Sequence, residues 1–273
     1  MRQKYIRVKI ITDFEKKKTK KKKFRESSNT KLNYILQAIR RIPYFINTNI
    51  EMTLNITVLI SGSGTNLQAL IDAQKNNQLK GQITQVISSS ETAYGLKRAQ
   101  QACIPTKTHV LKTYYKGTTK DQTDVRKQRR EQFNVELANL LINGQIQGSD
   151  ALYTKPDLIV CAGWMLILSP SVLQPLEKAG ITIINLHPAL PGAFDGTHAI
   201  DRCWKAGQDG EITKGGVMIH RVIAEVDRGT PILVKELDLI KGESLEEYEE
   251  RVHKVEHVAI VFSTRRGASA LAN

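Results

Sequence analysis

Leu54-Asn55-Ile56-Thr57-Val58-Leu59-Ile60-Ser61-Gly62-Ser63-Gly64-Thr65-Asn66-Leu67 is an apolar run of strand length, a glycine-rich turn, and the start of an amphipathic segment reaching about Asn77. Strand, tight turn and helix in that order make the first half of a βαβ unit. The alternation repeats downstream. Gly81–Ser88 reads as a strand, Thr92–Ala102 as a helix, and Pro105–Val110 as a short third strand. Thr118–Asn143 carries Val125, Phe133, Leu137, Leu140 and Leu141 at helical spacing. Asp157–Cys161 and Ile181–Asn185 read as further apolar strands, with a helix over Ser169–Lys178 between them. Near-continuous apolar strands alternating with helices predict an α/β fold whose mostly parallel, Rossmann-like sheet is covered by helices on both faces. After Lys214 the order changes. Gly216–Val222 and Pro231–Ile240 read as strands with no helix between them, a C-terminal antiparallel pair. Ser244 and Glu247 form a capping box that opens a closing helix to Val261.

The 273 residues hold 40 Lys and Arg against 27 Asp and Glu, a formal charge of +13. Residues 1–51 alone carry a net +11, which leaves +2 for the other 222. The basic character belongs to an N-terminal extension, so the body is not expected to bind nucleic acid. Lys16–Lys23, broken only by Thr19, is a block of like charge that resists packing. An unstructured extension is the plain reading. A nuclear-localisation or RNA-binding segment is an alternative, and Asp13, Glu15 and Glu26 count against a transit peptide. Met52 is a second candidate start. The organisation expected is an extension (1–51), a catalytic domain (52–263) and a short tail (264–273). Cys103, Cys161 and Cys203 form no C-x-x-C pair, so a reducing, cytoplasmic setting is expected rather than a disulfide framework or a cysteine zinc site. No apolar run is long enough for a membrane span.

The glycine turn Ser61–Asn66 lets backbone approach a ligand and places helix N-terminal N–H groups toward an anion. Leu67 stands where a dinucleotide fingerprint needs its third glycine, and no lysine follows Gly64 as in a P-loop. A phosphate monoester therefore fits better than a dinucleotide or ATP, and a bare β–α turn without ligand is the other reading. Farther on, Ile181-Thr182-Ile183-Ile184-Asn185-Leu186-His187-Pro188 ends an apolar strand with two polar residues two apart. Such residues share one side of an extended chain, and Pro188 keeps His187 extended. Ligands of open α/β sheets sit at the carboxyl ends of strands, so Asn185 and His187 are expected to point together into a cleft. A carboxamide there can stabilise an oxyanion, and an imidazole can move a proton or stabilise charge. Asp227, in the turn between the two late strands, is either a surface residue or a carboxylate that raises the His187 pKa. His220 is open between a catalytic and a structural reading. Neither a metal-ligand spacing nor a G-x-S-x-G elbow occurs, so no metal is expected.

Five stretches occur in an order and spacing that resemble one known family. They are Leu59–Gln68, Ala162–Leu168, Asn185-Leu186-His187-Pro188-Ala189-Leu190, the segment to Asp227, and Arg251–His257. Together they resemble the phosphoribosylglycinamide formyltransferases, folate-dependent enzymes of purine (IMP) biosynthesis, over about Asn55 to Val261. The resemblance implies the formyltransferase fold. It also implies transfer of the formyl group of 10-formyltetrahydrofolate, a co-substrate, to the amine of the ribonucleotide. It assigns Asn185 and His187 as the catalytic pair and Asp227 as the carboxylate that orients and charges the histidine. Gly62, Ser63, Gly64, Thr65, Asn66, His253, Lys254, Val255 and Glu256 are implied to bind the ribonucleotide. Arg130, Met165, Leu166, Ile167, Leu168, Asn185, Ile223, Ala224, Glu225, Val226 and Asp227 are implied to meet the folate. Small-molecule substrates are the implied partners, acting on a monomer or homodimer. Leu166 stands where many members have an arginine, the 112–150 region is long, and Arg265–Ala270 does not resemble a completed last helix. The nearest rival is a formyltetrahydrofolate hydrolase, which shares the catalytic pair. A methionyl-tRNA formyltransferase would need a further RNA-binding domain. A basic-tailed nucleic-acid binder and a non-catalytic nucleotide sensor are the readings from other classes.

Overall fold

The structure, a computed structural model, describes residues 54–144 and 153–271, the last five by backbone alone. The lysine block, the alternative start at Met52 and residues 145–152 of the long connection lie outside the described residues. Seven strands and seven helices follow one another among the described residues. They are β1 (Leu54–Ile60), α1 (Thr65–Lys75), β2 (Gly81–Ser88), α2 (Tyr94–Gln101), β3 (Thr106–Thr108), α3 (Leu111–Tyr114), α4 (Thr123–Asn143), β4 (Leu158–Cys161), α5 (Pro170–Lys178), β5 (Thr182–His187), α6 (Ala199–Asp209), β6 (Lys214–Arg221), β7 (Pro231–Asp238) and α7 (Leu245–Leu271). They form one sheet of order β3-β2-β1-β4-β5-β6-β7. The first five strands are parallel, while β6 runs antiparallel to β5 and β7 antiparallel to β6. Strand order reverses at β1, which pairs with β2 on one side and β4 on the other. Chain reversal of this kind splays the connections above the strand ends and leaves a crevice there.

Period-two alternation assigns each strand residue to a face. Ile56, Val58 and Ile60 of β1, Leu158 and Val160 of β4, and Ile184 and Leu186 of β5 join one apolar cluster with Leu67, Leu70 and Ile71 of α1 and Val252 and Ile260 of α7. Leu59, Ile159, Cys161 and Ile183 join the other, with Phe133, Leu137, Leu140 and Leu141 of α4 and Val172 and Leu176 of α5. Asn185 and His187 therefore continue the row of Ile183. That row ends at the crevice.

Several elements differ from the sequence reading for identifiable reasons. Helix α6 was not anticipated: its buried residues Ala199, Cys203 and Ala206 fall at helical spacing, but it opens on His198 at φ +56 with no side chain capping its first turn. The predicted helix over 118–143 begins at Thr123 and is preceded by the single turn α3. Strand β5 runs on to His187 because β6 supplies a ladder partner there, pairing Asn185 with His220 and His187 with Met218. The closing helix continues past Val261 to Leu271. Its start is as read: Ser244 N–H donates to Glu247 Oε2 at 2.9 Å and Glu247 N–H donates to Ser244 Oγ at 3.2 Å. Ser244→Ala removes one of these bonds and should lower stability by about 1 kcal/mol. In a domain of this size that is a fall of about 2–4 °C in Tm, readable by scanning calorimetry.

Candidate active site

A cavity of about 400 Å³ opens at the crevice between β1 and β4, within the size range of small-molecule sites. Its first wall is the turn after β1. Gly64 sits at φ +71, and a Cβ there would lie 2.6 Å from Gly95 Cα, so only glycine lets α1 start against α2. Gly95 N–H donates to the Gly62 carbonyl at 3.1 Å and Arg98 Nε to the Ser63 carbonyl at 2.9 Å, which fixes the turn from behind. A Cβ on Gly62 would meet nothing within 4 Å. The loop thus presents open backbone at the N-terminus of α1, a place where an anion is stabilised. Asn66 donates to Glu256 Oε2 at 3.1 Å, tying α1 to α7. Glu256 is buried, and burial raises its pKa against the opposing effects of Asn66 and His253.

The second wall is the stretch after β4. Ser61 Oγ accepts the Met165 N–H at 2.9 Å, so the loops of the two central strands are bonded to each other. Trp164, Met165, Leu166, Ile167 and Leu168 line the cavity, as do Val222, Ile223, Ala224 and Val226 from the segment after β6. This side is lined mostly by apolar residues.

Between the two walls stand the polar groups. Asn185, His187, His220 and Asp227 all line the cavity. Asp227, held at φ +55, places Oδ2 3.4 Å from His187 Nδ1 and Oδ1 3.4 Å from His220 Nε2. Gly196 N–H donates to Asp227 Oδ2 at 2.9 Å. Asn185 Nδ2 lies 3.2 Å from His220 Nε2 and 3.4 Å from Asp227 Oδ1. His220 Nδ1 lies 2.9 Å from the Arg221 carbonyl, which can only accept, so Nδ1 carries a proton and Nε2 is the atom that faces the Asn185 amide. Burial alone would raise Asp227, but the facing His220, the Gly196 N–H and His187 bring it below the ordinary carboxylate range. For His187 burial is the largest influence and lowers the pKa. The Asp227 charge pushes it up, His220 pushes it down, and the Ala193 backbone and Asp195 push it up, with a net lowering. The expectation of a histidine raised by its carboxylate is therefore corrected: the carboxylate is in place, and desolvation outweighs it.

Three buried polar atoms of cavity-lining residues, His187 Nε2, Trp164 Nε1 and Asn66 Oδ1, have no hydrogen-bond partner among the described residues. Buried groups are rarely left so. His253 lines the same cavity, whereas Lys254 is exposed, Val255 packs against the core, and Glu225 lies off the cavity wall. Arg130 faces an adjoining cavity that shares Met165, Leu166 and Ile167, and donates to the Ile167 carbonyl at 2.8 Å. Sequence reasoning left His220 undecided and passed over Gly95 and Gly196. The signal for His220 was a fully apolar strand, Val217-Met218-Ile219, closed by one imidazole. Among the described residues no group of His, Cys, Asp and Glu side chains converges as a metal-ligand set, and no helix is long and apolar enough to cross a membrane.

The formyl transferase family model matches residues 54–264. Phosphoribosylglycinamide formyltransferase of Schizosaccharomyces pombe is 49% identical over 212 residues, covering 77% of this chain and 95% of the yeast protein. The Saccharomyces cerevisiae protein of the same name is 51% identical over 214 residues, covering 77% and 94%. The chain belongs to the phosphoribosylglycinamide formyltransferase family. Its fold agrees with that of glycinamide ribonucleotide transformylase 1 from Symbiobacterium toebii, at a TM-score of 0.63 and 29% identity over 80% of this chain and 89% of the other. The matched span runs from the first residue of β1 into α7, so every wall of the cavity lies within the formyltransferase match.

Proposed function

We propose that this formyltransferase moves the formyl group of 10-formyltetrahydrofolate to the amine of phosphoribosylglycinamide, in purine biosynthesis, with residues 52–263 as its catalytic unit. The observation that carries the reading is the cluster of Asn185, His187 and Asp227 between the glycine turn and an apolar wall of one cavity. The turn Gly62–Asn66, with His253, holds the phosphate end, and Glu256 faces the glycinamide amine. The slot formed by Met165–Leu168 and the segment Ile223–Asp227 holds the pterin. Arg130 lies toward the outer end of that slot. Small-molecule substrates are its partners, as a monomer or homodimer in the cytoplasm.

Asn185 keeps one amide hydrogen on His220 and gives the other to the formyl oxygen, which gathers negative charge as the amine nitrogen bonds to the formyl carbon. His187 rests neutral, with Asp227 orienting its Nδ1 side and its Nε2 lone pair without a partner among the described residues. That lone pair takes the proton which the attacking amine must lose. The imidazolium so formed is stabilised by Asp227 and by the new oxyanion, and it returns the proton to the departing folate nitrogen as the carbon–nitrogen bond breaks. Acid, base and electrostatic roles are thus supplied by one histidine in turn.

The sign of the pH effect follows from the lowered His187 pKa. The histidine must be neutral to accept the proton, so kcat/KM should hold through pH 6.5 and fall only as pH drops through the depressed value. In Asp227→Asn the charge that pushes His187 up is gone, so the residual activity should lose its acid limb at still lower pH. A limb above pH 7 assigned to His187 by its loss in His187→Ala would contradict this account. The function itself is tested by following folate absorbance with 10-formyltetrahydrofolate, with and without phosphoribosylglycinamide. Acceptor-dependent conversion is expected. Equal conversion without the acceptor would make the protein a hydrolase, and no conversion under either condition would leave a binding protein.

A further inference from the structure

Asp227 and its supporting N–H come from two loops that cross behind the cavity, and consecutive residues of one meet consecutive residues of the other. Asp227 accepts from Gly196 N–H at 2.9 Å, while the next residue, Arg228, reaches the residue before Gly196: its Nε and Nη2 lie 2.8 and 2.6 Å from Asp195 Oδ2. The first loop is unusually constrained. Gly192, Phe194, Gly196 and His198, every second residue, have φ between +52 and +83, and Asp227 opposite them has φ +55. Non-glycine residues keep such angles only where their surroundings over-determine them. Arg202 contributes to this, with Nη2 donating to the carbonyls of Phe194, Asp195 and Thr197 at 2.7, 2.7 and 2.9 Å. Those bonds hold the loop to α6. The Asp195–Arg228 pair holds it to the Asp227 turn.

We propose that Asp195 and Arg228 are positioning residues whose ion pair clasps the 192–198 loop to the Asp227 turn and thereby sets where the Asp227 carboxylate stands against His187. The inference rests on the reading of Asp227 and His187 as the catalytic pair. Neither Asp195 nor Arg228 lines the cavity, so neither is placed to touch substrate. Their side chains are 30% and 56% exposed, and so open a pair adds little to overall stability. Its leverage is geometric. At 3.4 Å the Asp227–His187 contact is already long, and a small retreat of the turn weakens it further. The groups facing His187 are Asp227, His220, Asp195 and the Ala193 backbone. Loosening the clasp disturbs Asp227 directly and the 192–198 loop with it.

The test uses the full chain with Asp195→Asn, Arg228→Gln, the double variant and Arg228→Lys, with melting temperature and steady-state kinetics followed from pH 5 to 9. Each single variant should lower kcat about 5- to 20-fold, with KM for both substrates within about twofold. The double variant should be no slower than the worse single variant, the mark of a pair acting as one unit. Arg228→Lys should recover most of the rate. In Asp195→Asn the acid limb of kcat/KM should move to lower pH, because one carboxylate facing His187 is gone. Raising ionic strength should slow the wild type more than the double variant. Unchanged kcat in both single variants would overturn the proposal, as would losses that follow melting temperature with no change in the pH profile. Asp227→Asn in the same assay separates the two levels. If it is slow while the clasp variants are normal, only the clasp fails; if it turns over normally, the catalytic reading fails first.

Discussion

Asn185→Ala, His187→Ala and Asp227→Ala are each expected to lower kcat for acceptor-dependent formyl transfer by about 100-fold or more, with the fold intact. The magnitude follows from what each deletion strands. Without Asn185 the oxyanion loses its amide donor, and His220 Nε2 loses the partner at 3.2 Å. Without His187 the cavity loses the imidazole that stands against Asp227 at 3.4 Å to carry the proton. Without Asp227 two imidazoles lose their shared anion and the Gly196 N–H loses its acceptor. The three should not be additive, because they share Asp227. A triple variant little slower than His187→Ala alone would bear that out. Stopped-flow or steady-state absorbance of the folate product measures the rate, and circular dichroism checks the fold. Turnover within about fivefold of wild type in any one variant would remove that residue from its role.

Gly229→Ala should be nearly as damaging, though residue 229 makes no contact with substrate in the mechanism above. A Cβ at Gly229 would overlap the Arg221 carbonyl oxygen and lie 3.1 Å from His220 Nδ1. The obstacle is backbone on a strand paired from both sides, so the strand cannot give way. The turn must move instead, and Asp227 with it, two residues away. Overpacking of this kind costs about 1–3 kcal/mol in stability. The loss of kcat is expected to reach about 100-fold, because His187 and His220 lose their carboxylate together. A Gly229→Ala protein with normal kcat and a lowered Tm would show that the turn can retreat without carrying Asp227 along.

The parallel half of the sheet was legible because each strand is a compact apolar run bounded by turn residues. Gly81–Ser88 was read to the residue, and the capping box at Ser244 marked the start of α7. The pairing of Asn185 with His187 needed only strand geometry. What could not be read was register. That His220 stands opposite Asn185 depends on the antiparallel alignment of β5 with β6, which no local pattern encodes. Asp227 was ambiguous for the same reason, since its turn is brought over His187 by long-range pairing. Helix α6 was missed because no capping side chain marks its start, although its buried residues fall at helical spacing. Desolvation of His187 is a property of the assembled walls, and a carboxylate recognised in sequence suggested the opposite sign.

One bond described above also sets an order of events during synthesis. Asn66 and Glu256 are 190 positions apart. At ordinary ribosomal speeds of about 5–20 residues per second, about 10–40 s pass between their appearances. Through that interval the glycine turn has been made but the acidic group that braces it has not. The proposed nucleotide pocket, begun by the earliest part of the domain to emerge, is among the last to become competent, and a nascent chain should gain ribonucleotide affinity only after its final helix leaves the exit tunnel.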